Sequence, residues 1–174
     1  MKKTLFLVLV SLLVVPSLAS AKKLPYKHSV ENFGADRTGT IQSGLGVGLV
    51  FHDPAFDFRL EGEYFVTHNI SAGLNLDIIT HDSTTFGFDF VGRYHLDFDN
   101  LPRLVPYVGA GLGAVINTVG SGGMDILIPA IGAKYEVIAG RLFLGPELGV
   151  HIVTDFSDTT WDVSLMIVQA IYRF

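Results

Sequence analysis

Between residues 40 and 174, apolar and polar residues alternate with period two in eight successive stretches, and the apolar positions carry no Asp, Glu, Lys or Arg. That period marks strands with one apolar face. In the first stretch Ile41, Leu45, Val47, Leu49 and Phe51 oppose Gln42, Gly44, Gly46 and Gly48. In the second, Phe56, Phe58, Leu60, Tyr64 and Val66 oppose Asp57, Arg59, Glu61 and Glu63. The polar side then collects Asp77 in the third stretch, Asp89, Arg93, His95 and Asp97 in the fourth, Lys134 and Glu136 in the sixth, Arg141, Glu147 and His151 in the seventh, and Gln169 and Arg173 in the eighth. At about ten to thirteen residues each, the stretches match the length at which a tilted strand crosses a bilayer.

Alternation does not by itself say which face is inside, because a soluble ligand-binding barrel has the same period with its apolar face turned inward. Glycine decides between them. Gly44, Gly46, Gly48, Gly73, Gly87, Gly109, Gly111, Gly113, Gly132, Gly145 and Gly149 fall on the polar face, against only Gly62 and Gly92 on the apolar one. Small residues are needed where Arg and Glu must share the cramped interior of an eight-strand barrel; on a solvated exterior they would only weaken the sheet. The expected fold is all-β, an eight-stranded antiparallel up-and-down transmembrane β-barrel over residues 40–174. The 49% hydrophobic composition then describes a lipid-facing exterior instead of a large core.

The aromatic residues agree. With the N-terminus on the periplasmic side, Tyr64, Tyr94, Tyr135, Tyr172 and Phe174 fall at one end of the strands and Phe51, Phe56, Phe58, Phe86 and Phe88 at the other, with Trp161 nearby. Two such girdles are expected at the two membrane interfaces. Prolines resist the scheme, since a closed barrel has no edge to hold them. Pro106 suits a strand start, whereas Pro129 and Pro146 call for a bulge or a later start to the seventh strand. Parity puts Leu127 and Met166 outside, and Val163, Leu165, Ile167 and Ile171 on the inward side of the eighth strand.

Residues 1–21 read as a cleaved secretory signal: Met1-Lys2-Lys3, an apolar run over residues 5–15, Pro16, then Ala19-Ser20-Ala21. The run is too short for a transmembrane helix. Residues 22–39, with Lys22, Lys23, Lys27 and Arg37, read as a solvated periplasmic linker. A net charge of −5 over 174 residues argues against a nucleic-acid partner. The absence of cysteine excludes disulfides, thiolate metal sites and a Cys nucleophile.

Pro106-Tyr107-Val108-Gly109-Ala110-Gly111-Leu112-Gly113, together with the terminal Tyr172-Arg173-Phe174, resembles the OmpA-type family of small outer-membrane β-barrels. The resemblance runs from about residue 40 to the C-terminus and implies a monomeric barrel in outer-membrane lipid, delivered by periplasmic chaperones. It also implies that Tyr172 and Phe174 form the signal read by the barrel-assembly machinery, although Gln169 stands where that signal usually carries Gly. The family's periplasmic peptidoglycan-binding domain is not expected, because the chain stops at the last strand.

Chemistry is sparse. Inward acids Asp57, Glu61, Glu63, Asp77, Asp89, Asp97, Glu136 and Glu147 face inward bases Arg59, Arg93, Lys134, Arg141 and Arg173. In so narrow a lumen they must pair, because an unpaired charge out of water costs several kcal/mol. A structural plug is the favoured reading, with a gated path for small solutes as the alternative. His28, His52, His68 and His81 are isolated in the tail, turns or loops, and no histidine pair has tight ligand spacing, so neither metal nor cofactor is expected. A lipid-modifying enzyme would rest on Glu147, His151 and Ser157, whose spacing does not match a His-x-Ser pair, so no enzyme activity is expected. The short exterior loops leave little surface for a receptor or adhesin.

Overall fold

The computed structural model describes residues 36–174 apart from Asp53 and His81; the expected signal peptide and residues 22–35, with Lys22, Lys23, Lys27 and His28, lie outside the described residues. Eight strands follow in order: β1 (Ile41–Val50), β2 (Ala55–Phe65), β3 (Ile70–Thr80), β4 (Thr84–His95), β5 (Leu104–Asn117), β6 (Gly122–Ile138), β7 (Leu142–Thr154) and β8 (Thr159–Arg173). Each pairs antiparallel with the next, and β8 pairs with β1, so the barrel closes. The upper end carries the β1–β2, β3–β4, β5–β6 and β7–β8 turns of three or four residues. The lower end carries the other three, of which residues 96–103 form the longest.

The barrel is inverted relative to a water-soluble protein. On β2, Asp57, Arg59, Glu61 and Glu63 are buried while Phe56, Phe58 and Tyr64 between them are half or more exposed. Among the described residues nineteen buried side chains are polar or charged and eleven are hydrophobic. An exterior of exposed Leu, Ile, Val and Phe is stable against hydrocarbon, and the closed ladder leaves no backbone group unpaired at a sheet edge. Tyr64, Tyr94, Tyr135 and Tyr172 stand exposed near the lower end, and Phe51, Phe56, Phe86 and Trp161 near the upper.

Space explains the glycine distribution. A Cβ on outward Gly62 or Gly92 would meet nothing within 4 Å, whereas on inward Gly132 it would lie 2.3 Å from the Tyr107 ring and on Gly109 2.9 Å from the Arg93 side chain. The inward glycines are the seats of the large polar residues.

Besides an irregularity between Glu136 and Ile138 at the lower end of β6, two bulges shift the register. Gly109 and Gly111 pair with Ala130 and Leu127, so β6 carries an extra residue at Ile128–Pro129, and the same step appears against β7. Gly145 and Glu147 pair with Gln169 and Met166, placing another extra residue in β8. Pro129 therefore sits in a bulge of its own strand, while Pro146, which lacks an N–H, lies opposite the bulge in β8; β7 does not start late. An extra residue reverses inside and outside. Leu127 and Met166, expected outside, are fully buried, and Ile167, expected inside, is 56% exposed.

Gly132→Ala is expected to destabilise the barrel by about 1–3 kcal/mol through the clash with Tyr107. Gly62→Ala should stay within about 0.5 kcal/mol. Urea unfolding in detergent, followed by the loss of heat-modifiable migration, distinguishes the two.

Candidate functional site

The lower and middle lumen is filled by ion pairs that join strands not adjacent in the sheet. Lys134 of β6 pairs with Glu63 of β2, four strands away on the opposite wall. Glu63 also lies 3.0 Å from His95 Nε2 and accepts from the Ser71 hydroxyl. One step up β2 and β4, Glu147 of β7 gathers three donors. Arg59 Nη1 reaches its Oε1, Arg93 Nη2 donates to Oε2 at 3.1 Å, and the Tyr107 hydroxyl donates to Oε2 at 2.8 Å. Arg59 Nε donates in turn to Asp77 Oδ1 at 2.6 Å, with Asp57 at 4.0 Å, while Arg93 reaches Glu61 at 3.4 Å. The Tyr107 ring lies 5.5 Å from the Arg93 guanidinium and 5.2 Å from Lys134 Nζ, within cation–π range of both.

Above these pairs Val91, Leu127 and Ala130 form a buried apolar cluster. Beyond it the upper lumen opens into a cavity of about 450 Å³ lined by Asp77, Asp125, His151, Asp158, Asp162 and Ser164 among others. At its rim Asp155 is held down to about 2 by the Asp158 backbone N–H, then by the hydroxyl and N–H of Ser157. Its charge is therefore permanent at any physiological pH.

Of the residues expected inside, Asp57, Arg59, Glu61, Glu63, Asp77, Asp89, Arg93, Lys134, Glu136, Glu147 and Arg173 are buried. Glu136 accepts from the Gly140 N–H, and Arg173 stacks 4.6 Å over the Phe143 ring. Two differ. Arg141 falls in the β6–β7 turn and is exposed, immediately before β7 begins at Leu142. Asp97 lies beyond β4 with its side chain 36% exposed and pairs with Arg37 at 2.8 Å.

That pair also corrects the reading of Arg37 as a solvated linker residue. Its side chain is buried at the lower rim, where Nε donates to the His68 carbonyl at 2.9 Å and the guanidinium covers the Phe65 ring. The Gly39 N–H meanwhile donates to the Phe65 carbonyl. His68, expected to be isolated, lies 2.8 Å from Asp97. Glu147, His151 and Ser157 do not meet: Ser157 bonds Asp155 in the β7–β8 turn, while His151 bonds Asp125 at 2.8 Å and Ser164 at 3.0 Å. Asp125 and Ser164 are the inward polar residues that sequence parity missed. Both precede a bulge, and only the register beyond each bulge was legible.

No family model and no curated protein matches the chain. Solved structures do. The N-terminal β-barrel domain of Pseudomonas aeruginosa OprF aligns over 79% of this chain and 98% of that one, with 17% identity and a TM-score of 0.62. Neisserial surface protein A aligns over 77% and 94%, with 12% identity and a TM-score of 0.58. A de novo designed transmembrane β-barrel aligns over 79% and 97%, with 21% identity and a TM-score of 0.56. The shared feature is the small closed β-barrel fold, and the apolar exterior and charged lumen define the class as a membrane-spanning barrel.

Glu147→Gln leaves Arg59 and Arg93 short of a buried counter-charge and is expected to cost about 3–5 kcal/mol. Asp97→Asn at the half-open rim should cost about 1 kcal/mol or less. Burial pushes the Asp97 carboxyl up, but the hydrogen bond and charge of Arg37, with His68 and Asn69, outweigh it and hold it below the usual range. The rim contact is therefore fully formed above about pH 4 and weakens as pH falls through the lowered value. Urea midpoints measured from pH 7 down to pH 3 should show this acid loss in the wild type and not in Asp97→Asn.

Proposed function

We propose that this protein is an integral outer-membrane β-barrel with a structural, envelope-supporting role and a lumen plugged by its own charges. The observation that carries the reading is the crossing of the bore by ion pairs between non-neighbouring strands, Lys134 with Glu63 and both Arg59 and Arg93 with Glu147. An ion passing through must displace a buried ion pair and the Val91–Leu127–Ala130 cluster, without the hydration that would offset the loss. The similarity to OprF and Neisserial surface protein A supports the membrane setting.

The accompanying proposals concern biogenesis. The chain is exported by its N-terminal signal, carried by periplasmic chaperones and inserted as a monomer by the barrel-assembly machinery. That machinery reads Tyr172 and Phe174 beside the β1–β8 closure. The protein needs no cofactor and catalyses no reaction in this role.

A second reading, a narrow path for small cations, is favoured by one observation, the acidic upper cavity. Planar-bilayer recording separates the two. Wild-type protein should give no steady current, whereas Glu63→Ala combined with Glu147→Ala, which leaves Arg59, Arg93 and Lys134 short of counter-charge, should give brief openings that favour anions. Steady cation-selective current through the wild type would replace the plug with the pore. Carbonate-resistant recovery in the outer-membrane fraction tests the location.

A further inference from the structure

The upper lumen holds more acid than its bases neutralise. Among the described residues eight buried acids face five buried bases. Arg59, Arg93 and Lys134 are engaged in the middle lumen, Arg37 at the lower rim and Arg173 against Phe143. Asp89 of β4 is 0% exposed, and both of its oxygens lack a hydrogen-bond partner among the described residues; Asp125 Oδ1 lacks one as well. Two buried carboxylates facing each other repel strongly, and burial removes the water that would screen them.

The backbone brings these groups together. Asp89 and Asp125 both pair with Gly113, so one rung of the ladder carries two carboxylates flanking a residue with no side chain. A Cβ at that position would lie 2.1 Å from Asp89 Oδ1, so the carboxylate occupies the space that only glycine leaves. His151 closes the group from β7, with Nδ1 2.8 Å from Asp125 Oδ2 and Nε2 3.0 Å from the Ser164 hydroxyl. One ligand atom each from Asp89, Asp125 and His151 lie within 4.8 Å of one another.

The geometry points to a divalent-metal site formed by Asp89, Asp125 and His151, of the kind taken by Zn²⁺ or Mn²⁺. Tetrahedral ligands at about 2.0–2.1 Å from a metal are about 3.3 Å apart, so the group needs to contract by up to about 1.5 Å at its widest. Rotation of the Asp89 side chain over Gly113 supplies that movement. One imidazole with two carboxylates suits these metals better than Ca²⁺ or Mg²⁺, which take oxygen ligands alone. The Ser164 oxygen accepts from Nε2–H and fixes the tautomer that leaves Nδ1 to the metal, and binding releases the proton that Nδ1 otherwise shares with Asp125. The cavity of about 450 Å³ beside His151 and Asp125 gives the ion its route in and water for the remaining positions. Bound metal would tie β4, β6 and β7 together at the upper end.

The test is isothermal titration of the untagged, metal-stripped full chain in detergent with ZnCl₂ and, separately, MnCl₂ and CaCl₂. Heat-modifiable migration confirms that each sample is folded. Wild type is expected to bind a single Zn²⁺ per chain and to convert to the unfolded form at a higher temperature when loaded. Asp89→Asn and His151→Ala, both still folded, should each lose about tenfold or more in affinity and lose the thermal shift. Asp158→Asn at the rim should change neither. Three results would overturn the site: no saturable binding by wild type, equal binding by Asp89→Asn and His151→Ala, or preference for Ca²⁺. A fourth would be a carboxylic-acid carbonyl band at pH 7 that disappears in Asp89→Asn, showing that the acids share a proton instead. Labelling of Ser164 by a fluorophosphonate would mark Asp125, His151 and Ser164 as a nucleophile relay and would also overturn it. None of these outcomes depends on whether the lumen conducts.

Discussion

Glu147 is the carboxylate on which the interior depends. A β-ladder connects each strand only to its two neighbours, so a closed sheet of eight has no built-in bond across its bore. Glu147 of β7 accepts from β2, β4 and β5 at once, and Lys134 to Glu63 spans opposite walls. These crossbars are also the condition for placing charge there at all, because desolvation is recovered only when every partner is satisfied. The glycines follow from the same demand. Arg93 and Tyr107 reach Glu147 over Gly109 and Gly132, which leave no side chain in the way. A barrel with larger residues at those positions would have to surrender the charges that hold it closed.

The sequence was most informative where the chain is regular. Phe56 to Tyr64 and Phe86 to Tyr94 alternate without interruption, and their charges are buried where period two puts them. The barrel class, its strand number and most of the lumen follow from that one period. Parity fails where a residue is inserted, because an insertion leaves no mark in composition while reversing every side chain on one side of it. Pro129 was the visible sign of the β6 bulge, yet Asp125 and Leu127 keep their inward positions because the reversal happens after them. In β8 the insertion falls among Met166, Ile167 and Val168, apolar residues that read equally well on either face. Arg37 was illegible for a different reason. It lies outside the alternating pattern, and its partners His68 and Asp97 come from two separate turns that only the closed barrel brings together.

The two ends of the lumen differ in how charge is resolved. At the lower end Arg37 meets Asp97 and Lys134 meets Glu63. The upper end is bordered by Asp77, Asp82, Asp125, Asp155, Asp158 and Asp162, with His151 as the titratable base. Of these acids Asp82, Asp155 and Asp158 are exposed to the medium, while Asp77 and Asp125 are buried. An acid-lined recess with low-dielectric walls concentrates cations at its mouth, and the effect weakens as salt shortens the Debye length.

The same recess bears on how a charged lumen could coexist with the plug proposed above. Cation attraction ends at Val91, Leu127 and Ala130, the next inward positions below Asp89 and Asp125 on β4 and β6. Arg59 and Arg93 stand in the bore as positive charges, each already claimed by a carboxylate, and Arg59 reaches Asp77 on the wall of the cavity. A cation drawn into the vestibule would therefore meet both the apolar cluster and like charge. On the plugged reading, the acids would attract it to a depth where it can be held, with no way on. An acidic mouth is thus no evidence of conduction by itself: in this barrel it is the electrostatic counterpart of a pocket with a floor.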